Sequence, residues 1–291
     1  MILVTGATGH FGKTSIDFLI KKGVPASSIA ALVRDETKAA DLKAKGVELR
    51  KGDYEDYDSL VKAFTGIEKL LLVSSSDISN RTGQQANAVK AAKEAGVKYI
   101  LYTSFVRKDE TDASPIAWVA QSHINTEKLI RESGMAYTIF RNNLYLDFVP
   151  VFIGEKVLET GIFWPAGHTA GAYALREEMA EAAVNVLTST GHENKEYNIS
   201  NTGAWTFQQV ADTISQVSGK NISYTSPARE TYKSVLTQAG VPELYVNMFA
   251  GFAEAIRIGE FDSATGTDLE KLLGRKPVSL ESYLSTVYSK N

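Results

Sequence analysis

Near its N-terminus the chain places Gly6, Gly9 and Gly12 three residues apart in TGATGHFG, directly after the apolar run Ile2, Leu3 and Val4. Glycines between a strand and a helix leave backbone N–H groups at the helix N-terminus open to an anion. Gly6 would permit the tight turn, Gly9 would let a pyrophosphate reach the backbone, and Gly12 would let the helix close on the sheet. Ala7, Thr8, His10 and Phe11 complete this candidate cradle. The spacing is G-x-x-G-x-x-G rather than the G-x-G-x-x-G fingerprint, so the triplet draws its weight from what surrounds it.

The second strand ends in ALVRD, where an acid would bind an adenosine ribose 2′-OH and a cation would favour a 2′-phosphate. Arg34 is the first residue past the strand and Lys38 follows one helical turn on, which favours NADPH. Asp35 beside them is the alternative that would serve NADH. Asp53, closing the third strand, is placed to accept from an adenine amino group, or is simply a turn aspartate. Ser74, Ser75 and Ser76 close the fourth strand, at the edge where a cofactor ribose would lie. Thr103 and Ser104, closing the fifth, and Arg141, closing the sixth, are further candidate cofactor residues.

These positions need an alternating scaffold, and the sequence supplies one. Strands are predicted over 2–4, 29–33, 47–51, 69–75, 99–104 and 137–141, with helices over 14–22, 37–45, 57–64, 84–95 and 124–133 between them. Glycine follows most of these helices, where a left-handed C-cap is wanted. The expected fold class is α/β, a doubly wound parallel sheet of the Rossmann kind. Beyond residue 145 the rhythm changes: FWPAG at 163–167 reads as a loop, 177–187 as a helix, and 196–199 as a strand that returns to the main sheet. A helix is predicted over 205–218 with Thr206 as N-cap, a short strand over 222–225, and a mainly helical tail ending in 279–288. The expected organisation is a dinucleotide-binding domain over 1–145, with return elements near 177–200, and a smaller α/β cap over 146–291.

Composition excludes several classes. Apolar residues make up 44%, charged residues 22%, and the formal net charge is -3, so neither a nucleic-acid footprint nor a polybasic membrane patch is present. There is no cysteine, hence no disulfide, thiolate metal site or cysteine nucleophile, and no metal site is expected. No apolar run approaches the roughly 20 residues of a membrane span, and the first strand begins at the initiator methionine. A soluble cytoplasmic protein is the expectation.

With TGATGHFG, VR after the second strand, GDYED after the third, EKLLLVSSS, HINTEKLIRESGMAYTIFRNNLY and the AWT segment, the sequence resembles the NmrA-like branch of the extended short-chain dehydrogenase/reductase superfamily. Within that branch it is most similar to the bacterial type 2 NAD(P)H:quinone oxidoreductases and triphenylmethane reductase. The resemblance covers nearly the whole chain. It implies NADPH binding at Gly6 to Gly12, Arg34 and Ser74 to Ser76, and nicotinamide or substrate contacts around Asn142, Asn143 and Tyr145.

One departure bears on mechanism. Standard superfamily members carry Y-x-x-x-K on the helix after the fifth strand, where Tyr donates a proton and Lys lowers its pKa. Here Val119 stands at the Tyr position and His123 at the Lys position, while Tyr102 and Ser104 do not restore the spacing. His123 and Tyr145 are the candidate catalytic residues; His123 reads equally as a substrate-side donor, a ribose contact or a helix residue without chemistry. Hydride delivery to an ordinary carbonyl makes an alkoxide, whose conjugate acid is about as weak as water. A quinone yields a phenolate-like oxyanion with a pKa near 10, which solvent can protonate later. A cationic dye is simply neutralised. The expected function is therefore NADPH-dependent reduction of a quinone or similar flat acceptor, with Tyr145, Phe148, Phe152, Phe163 and Trp164 suited to line its slot. A cofactor-sensing regulator that binds NADP without turnover is the alternative, and a sugar-nucleotide epimerase ranks third because it needs the missing pair. NADH as a second donor and a homodimer are both compatible with the sequence.

Overall fold

In the computed structural model, which describes residues 1–77, 79–262 and 266–289, strands and helices alternate through the first half. The order is β1 (Ile2–Val4), α1 (His10–Lys21), β2 (Ile29–Val33), α2 (Ala40–Ala44), β3 (Glu48–Lys51), α3 (Tyr57–Phe64), β4 (Lys69–Leu72), α4 (Arg81–Glu94), β5 (Tyr99–Phe105), α5 (Ala117–Glu132) and β6 (Ala136–Asn142). There follow α6 (Val149–Ile153), α7 (Val157–Thr160), β7 (Ile162–Phe163), α8 (Arg176–Leu187), β8 (Lys195–Ile199), α9 (Phe207–Ser218), β9 (Tyr224–Thr225), α10 (Arg229–Gln238), α11 (Glu243–Arg257), α12 (Leu269–Leu273) and α13 (Leu280–Tyr288).

The chain divides into two units, the first being Met1–Phe105, Trp118–Asn142 and Arg176–Ile199. Its seven strands form one sheet in the order β3-β2-β1-β4-β5-β6-β8, every pair parallel. All five residues of β2 are buried, as a parallel strand covered on both faces requires. Side chains alternate across the sheet. Leu3, Leu70, Leu72, Ile100 and Tyr102 point to one face and share a core with Leu60 and Phe64 of α3 and Ala88 and Val89 of α4. Helices α1 and α8 pack on each other and cover the other face. Strand order reverses between β1 and β4, and the carboxyl ends of two such strands are where this architecture takes its ligands. The sequence-predicted return strand is β8, paired with β6.

The second unit is Val106–Ala117, Asn143–Leu175 and Ser200–Asn291. Strand β7 pairs in parallel with β9, so Phe163 lies in a strand rather than in the predicted loop, and Trp164 beside it is fully buried. Thr206 caps α9 as expected, in a reciprocal capping box with Gln209. Helices α1, α4 and α5 each start three or more residues earlier than predicted, α4 at Arg81. Helix α1 begins at His10 because extended Gly9 is its N-cap, and α5 begins at Ala117. The predicted helix over 37–45 divides into a 3-10 turn, Glu36–Ala39, and the short α2, because Asp35 caps the turn tightly. Among the described residues no helix is long and apolar enough to cross a membrane.

Candidate active site

The glycine turn meets three different demands. Gly6 has φ of 58°, in the left-handed region, and a Cβ there would stand 3.3 Å from the Val73 Cβ. At Gly12 a Cβ would lie 2.3 Å from the Gly6 carbonyl oxygen, so the helix can approach the turn only without a side chain. Gly9 differs: it is extended, and a Cβ would meet only the Gly6 oxygen, at 3.3 Å. A side chain at Gly9 would thus press on one backbone atom, which must give by a few tenths of an ångström, and the space beyond it suits a ligand. The N–H groups of the first turn of α1 have no partner within the helix. Gly9 offers no side-chain cap and the first turn carries no acid, so the positive end of the helix dipole is not neutralised locally. Thr8, Gly9 and His10 are exposed, whereas the Ala7 and Phe11 side chains are buried, leaving their backbone as what they can offer.

A cleft of about 280 Å³ brings Gly6 and Thr8 together with Arg34, Asp53, Ser74, Ser75 and Ser76, drawing on the ends of β1, β2, β3 and β4. Its floor is knotted by Tyr54. The Tyr54 Oη lies 2.6 Å from Thr5 Oγ1 and 2.8 Å from the Val73 carbonyl, while the Val73 N–H donates to Thr5 Oγ1 at 2.8 Å. Burial holds the Tyr54 phenol above the usual tyrosine range, so it remains a donor. Asp53 accepts the Glu55 N–H on Oδ1 at 3.0 Å. The Asp35 carboxylate, the alternative reading for NADH, is anchored through Oδ1, which accepts from the Thr37 hydroxyl at 2.7 Å and from the Thr37 N–H at 3.0 Å. Those bonds hold its carboxyl below the usual carboxylate range.

The serine shelf after β4 is fixed by residues that sequence reasoning missed. Gln85, fully buried, accepts the Ser75 N–H on Oε1 at 3.1 Å and donates to Thr126 Oγ1 of α5 at 2.8 Å. Gln84 accepts from the Ser75 hydroxyl at 2.5 Å and donates to Asp77 at 2.8 Å. Thr103 accepts the Ser74 N–H at 2.9 Å. The available sequence signal was a pair of glutamines inside an otherwise alanine-rich helix.

His123 lies on α5 with only 2% of its surface exposed. Its Nδ1 is 2.7 Å from the Tyr102 Oη and its Nε2 is 2.9 Å from Nη2 of Arg81. A guanidinium only donates, so Nε2 is the acceptor and the ring's proton sits on Nδ1, facing the Tyr102 oxygen. Burial raises the Tyr102 phenol pKa, which makes it a poorer acid. Val119, one turn earlier on α5, is buried and apolar.

Ser104 and Arg141 are engaged in a separate network. Ser104 donates to buried Glu127 at 2.5 Å; Glu127 pairs with Arg131 and Arg141, and both arginines also meet Glu196. The two asparagines after β6 part company. Asn143, in the second unit, donates to Ser200 Oγ and the Phe261 carbonyl and accepts the Leu144 N–H. Asn142, 1% exposed at the end of β6, has neither amide atom hydrogen-bonded among the described residues. A buried amide in that state calls for a ligand or a water. Within the second unit Tyr145 stands edge-on to Phe148, which contacts Phe152, and Phe152 stacks on Trp164 with centroids 5.0 Å apart. Phe163 contacts Tyr232 instead.

A parallel sheet with a glycine turn at its switch point and an unneutralised helix end above it defines a dinucleotide-binding α/β protein. The chain belongs to the NmrA-like family, which matches residues 1–284. It is 38% identical to quinone oxidoreductase 2 of Escherichia coli, over the full length of both chains. It is 29% identical to the NAD(P)H azoreductase of Xenophilus azovorans, over 84% of this chain and 82% of that one. Among solved structures, the Citrobacter sp. triphenylmethane reductase complexed with NADP(H) superposes with a TM-score of 0.90 at 41% identity, covering 98% of this chain and 99% of that one. The NADPH complex of the Escherichia coli quinone oxidoreductase gives 0.91 at 36% identity, covering 99% and 100%.

Proposed function

We propose that this chain is an NADPH-dependent reductase that delivers hydride to a quinone or a comparable flat electron acceptor, such as a cationic dye. The observation that carries the acceptor class is the state of α5. Where a proton-donating pair would stand there is buried Val119, and His123 is held neutral between Arg81 and Tyr102. Protonating His123 at Nε2 would set an N–H against a guanidinium, so the ring is a positioning group and solvent protonates the product. Acceptors whose reduction leaves a stabilised oxyanion, or no charge, fit that arrangement; unactivated carbonyls do not.

When bound, NADPH supplies the hydride. The residues of this chain that would hold it are the first turn of α1 at the pyrophosphate, Arg34 and Lys38 at the 2′-phosphate, Asp53 at the adenine amino group, and Ser74 and Ser76 on the ribose side, with Thr103 fixing Ser74. Asn142 offers a buried amide with both polar atoms available. Tyr145 contacts the acceptor. The relatives support this reading, since each is named as a nicotinamide-dependent reductase or was crystallised with NADP(H). A cytoplasmic location goes with a reaction that consumes NADPH. The test is an acceptor panel: 1,4-benzoquinone, a cationic triphenylmethane dye, and an unactivated aldehyde. NADPH oxidation is expected with the first two and not with the third; oxidation with the aldehyde alone would overturn the reading.

A further inference from the structure

Lys51 is the last residue of β3 and lies in register with Val33, the residue before Arg34, on the neighbouring parallel strand. Paired strands are about 4.8 Å apart, so Lys51 and Arg34 issue from adjacent strand ends. Both line a groove of about 750 Å³ that shares Arg34, Gly52 and Asp53 with the smaller cleft.

Each carboxylate lining or flanking this groove is held in place by a local partner on at least one oxygen. Glu48 pairs with Arg50 at 2.8 Å, Asp56 caps α3 through the Ser59 N–H at 3.1 Å, Asp53 holds the Glu55 N–H, and Asp35 holds Thr37. Three cations at the strand ends are not held in this way. Among the described residues, Arg34, Lys38 and Lys51 make no side-chain hydrogen bond or ion pair, although Lys38 and Lys51 both lie near enough to Asp35 to act on its carboxyl. Cationic groups without hydrogen-bond partners are therefore gathered where the second and third strands finish, beside carboxylates that their local bonds fix in place without neutralising. A monoester phosphate, with two negative charges and several acceptor oxygens, is the group that such an arrangement takes.

We propose that Lys51 is a specificity-determining residue, joining Arg34 in binding the 2′-phosphate and setting the preference for NADPH over NADH. This rests on the reading of the chain as an NADPH-dependent reductase. Lys51 reaches the site from a different strand than Arg34, so the phosphate would be gripped from two sides rather than from one loop.

Calorimetric titration of the full chain with NADPH, NADH and 2′,5′-ADP tests it, on wild type, Lys51→Met, Lys51→Arg, Arg34→Ala and Lys62→Met. Methionine keeps the apolar stem and removes the charge. Lys51→Met is expected to weaken NADPH and 2′,5′-ADP about 10-fold at low ionic strength, equivalent to about 1.4 kcal/mol. NADH should be unchanged, the difference should shrink as salt is raised, and Lys51→Arg should restore binding. Lys62→Met, in the same groove but on α3, should behave as wild type. If Lys51→Met binds NADPH as wild type does while Arg34→Ala loses the preference, the role of Lys51 is overturned and the cofactor reading stands. Equal weakening of NADPH and NADH would make Lys51 a residue of the fold. A wild type that binds neither dinucleotide would remove both readings.

Discussion

Replacing Gly9 by valine separates what the fold needs from what the ligand needs. Gly9 sits at φ −85° and ψ 166°, an extended conformation that a β-branched residue adopts readily. Its Cβ would meet one atom, the Gly6 oxygen, at 3.3 Å. An aliphatic residue at an N-cap costs from a few tenths to about 1 kcal/mol relative to glycine, and restricting the unfolded chain offsets about 0.4–1 kcal/mol of that. With the Gly6 oxygen also having to give by a few tenths of an ångström, the net loss of stability is about 1 kcal/mol or less, a fall in melting temperature of no more than about 4 °C. Binding is another matter. A side chain over the first turn of α1 keeps a pyrophosphate away from its N–H groups, and losing two charge-assisted bonds at about 1.5–3 kcal/mol each weakens NADPH by more than about 100-fold at 1.4 kcal/mol per decade. Gly12→Ala is the counterpart: its Cβ would lie 2.3 Å from the Gly6 oxygen, so the turn must move, and about 1–3 kcal/mol of stability goes with it. Fluorescence titration with NADPH and thermal melts of both variants are the assay. A folded Gly9→Val protein with wild-type NADPH affinity would refute the reasoning, and so would one whose binding loss is matched by an equal loss of stability.

Arg34→Ala should reduce NADPH affinity about 10- to 100-fold through the loss of a charge-assisted contact, with NADH barely altered, as measured by titration with both cofactors. Asp35→Ala should leave NADH affinity unchanged, because Oδ1 of its carboxylate serves Thr37, and should strengthen NADPH by removing a negative charge beside the 2′-phosphate cations; a selective loss of NADH binding would return Asp35 to the ribose. Glu127→Leu should destabilise the protein by about 1–3 kcal/mol, since buried Ser104 loses its acceptor while Arg131 and Arg141 keep Glu196, without changing NADPH affinity, as read from denaturant melts and titration. Burial raises the Tyr102 phenol above its unfolded value near 10, so the unfolded state ionises first and stability falls as pH rises beyond about 10. Tyr102→Phe should lessen that alkaline loss in urea melts taken across pH, the remainder coming from Tyr54 and the other buried tyrosines.

The elements legible in the sequence were those with strong local signals. Strand β2 is five apolar residues between Ser28 and Arg34, and α3 runs from the Asp56 cap to Phe64. The start of α1 was obscured because His10, Phe11 and Gly12 belong at once to the turn and to the helix. Helix α5 reaches back to Ala117 through Trp118 and Val119, a stretch whose pattern is weak and whose buried side is set by the sheet. At the site, Gly6, Thr8, Arg34, Asp53 and the three serines converge because each ends a strand of one sheet, and that order follows from alternation. Tyr54, Arg81, Gln84 and Gln85 were not legible. Each acts through a hydrogen bond to an element distant in sequence, and no local period records such a pairing. The adjacent asparagines show the limit sharply: Asn143 is held by Ser200 and Phe261 while Asn142 is not hydrogen-bonded among the described residues, a distinction that only tertiary structure makes.

The central claim is hydride transfer to a flat acceptor without a protein acid, and the pH profile of one variant tests it most directly. His123→Gln keeps an acceptor for Arg81 and a donor for Tyr102 but removes the titrating ring. Stopped-flow oxidation of NADPH by 1,4-benzoquinone, on wild type and this variant from pH 5 to 9, should give rates within about 10-fold of each other and no acidic limb unique to wild type, since general acid catalysis would contribute about 10²- to 10⁴-fold. A loss greater than about 100-fold, together with the disappearance of a limb near pH 6.5 where imidazoles titrate, would make His123 the proton donor and contradict the account.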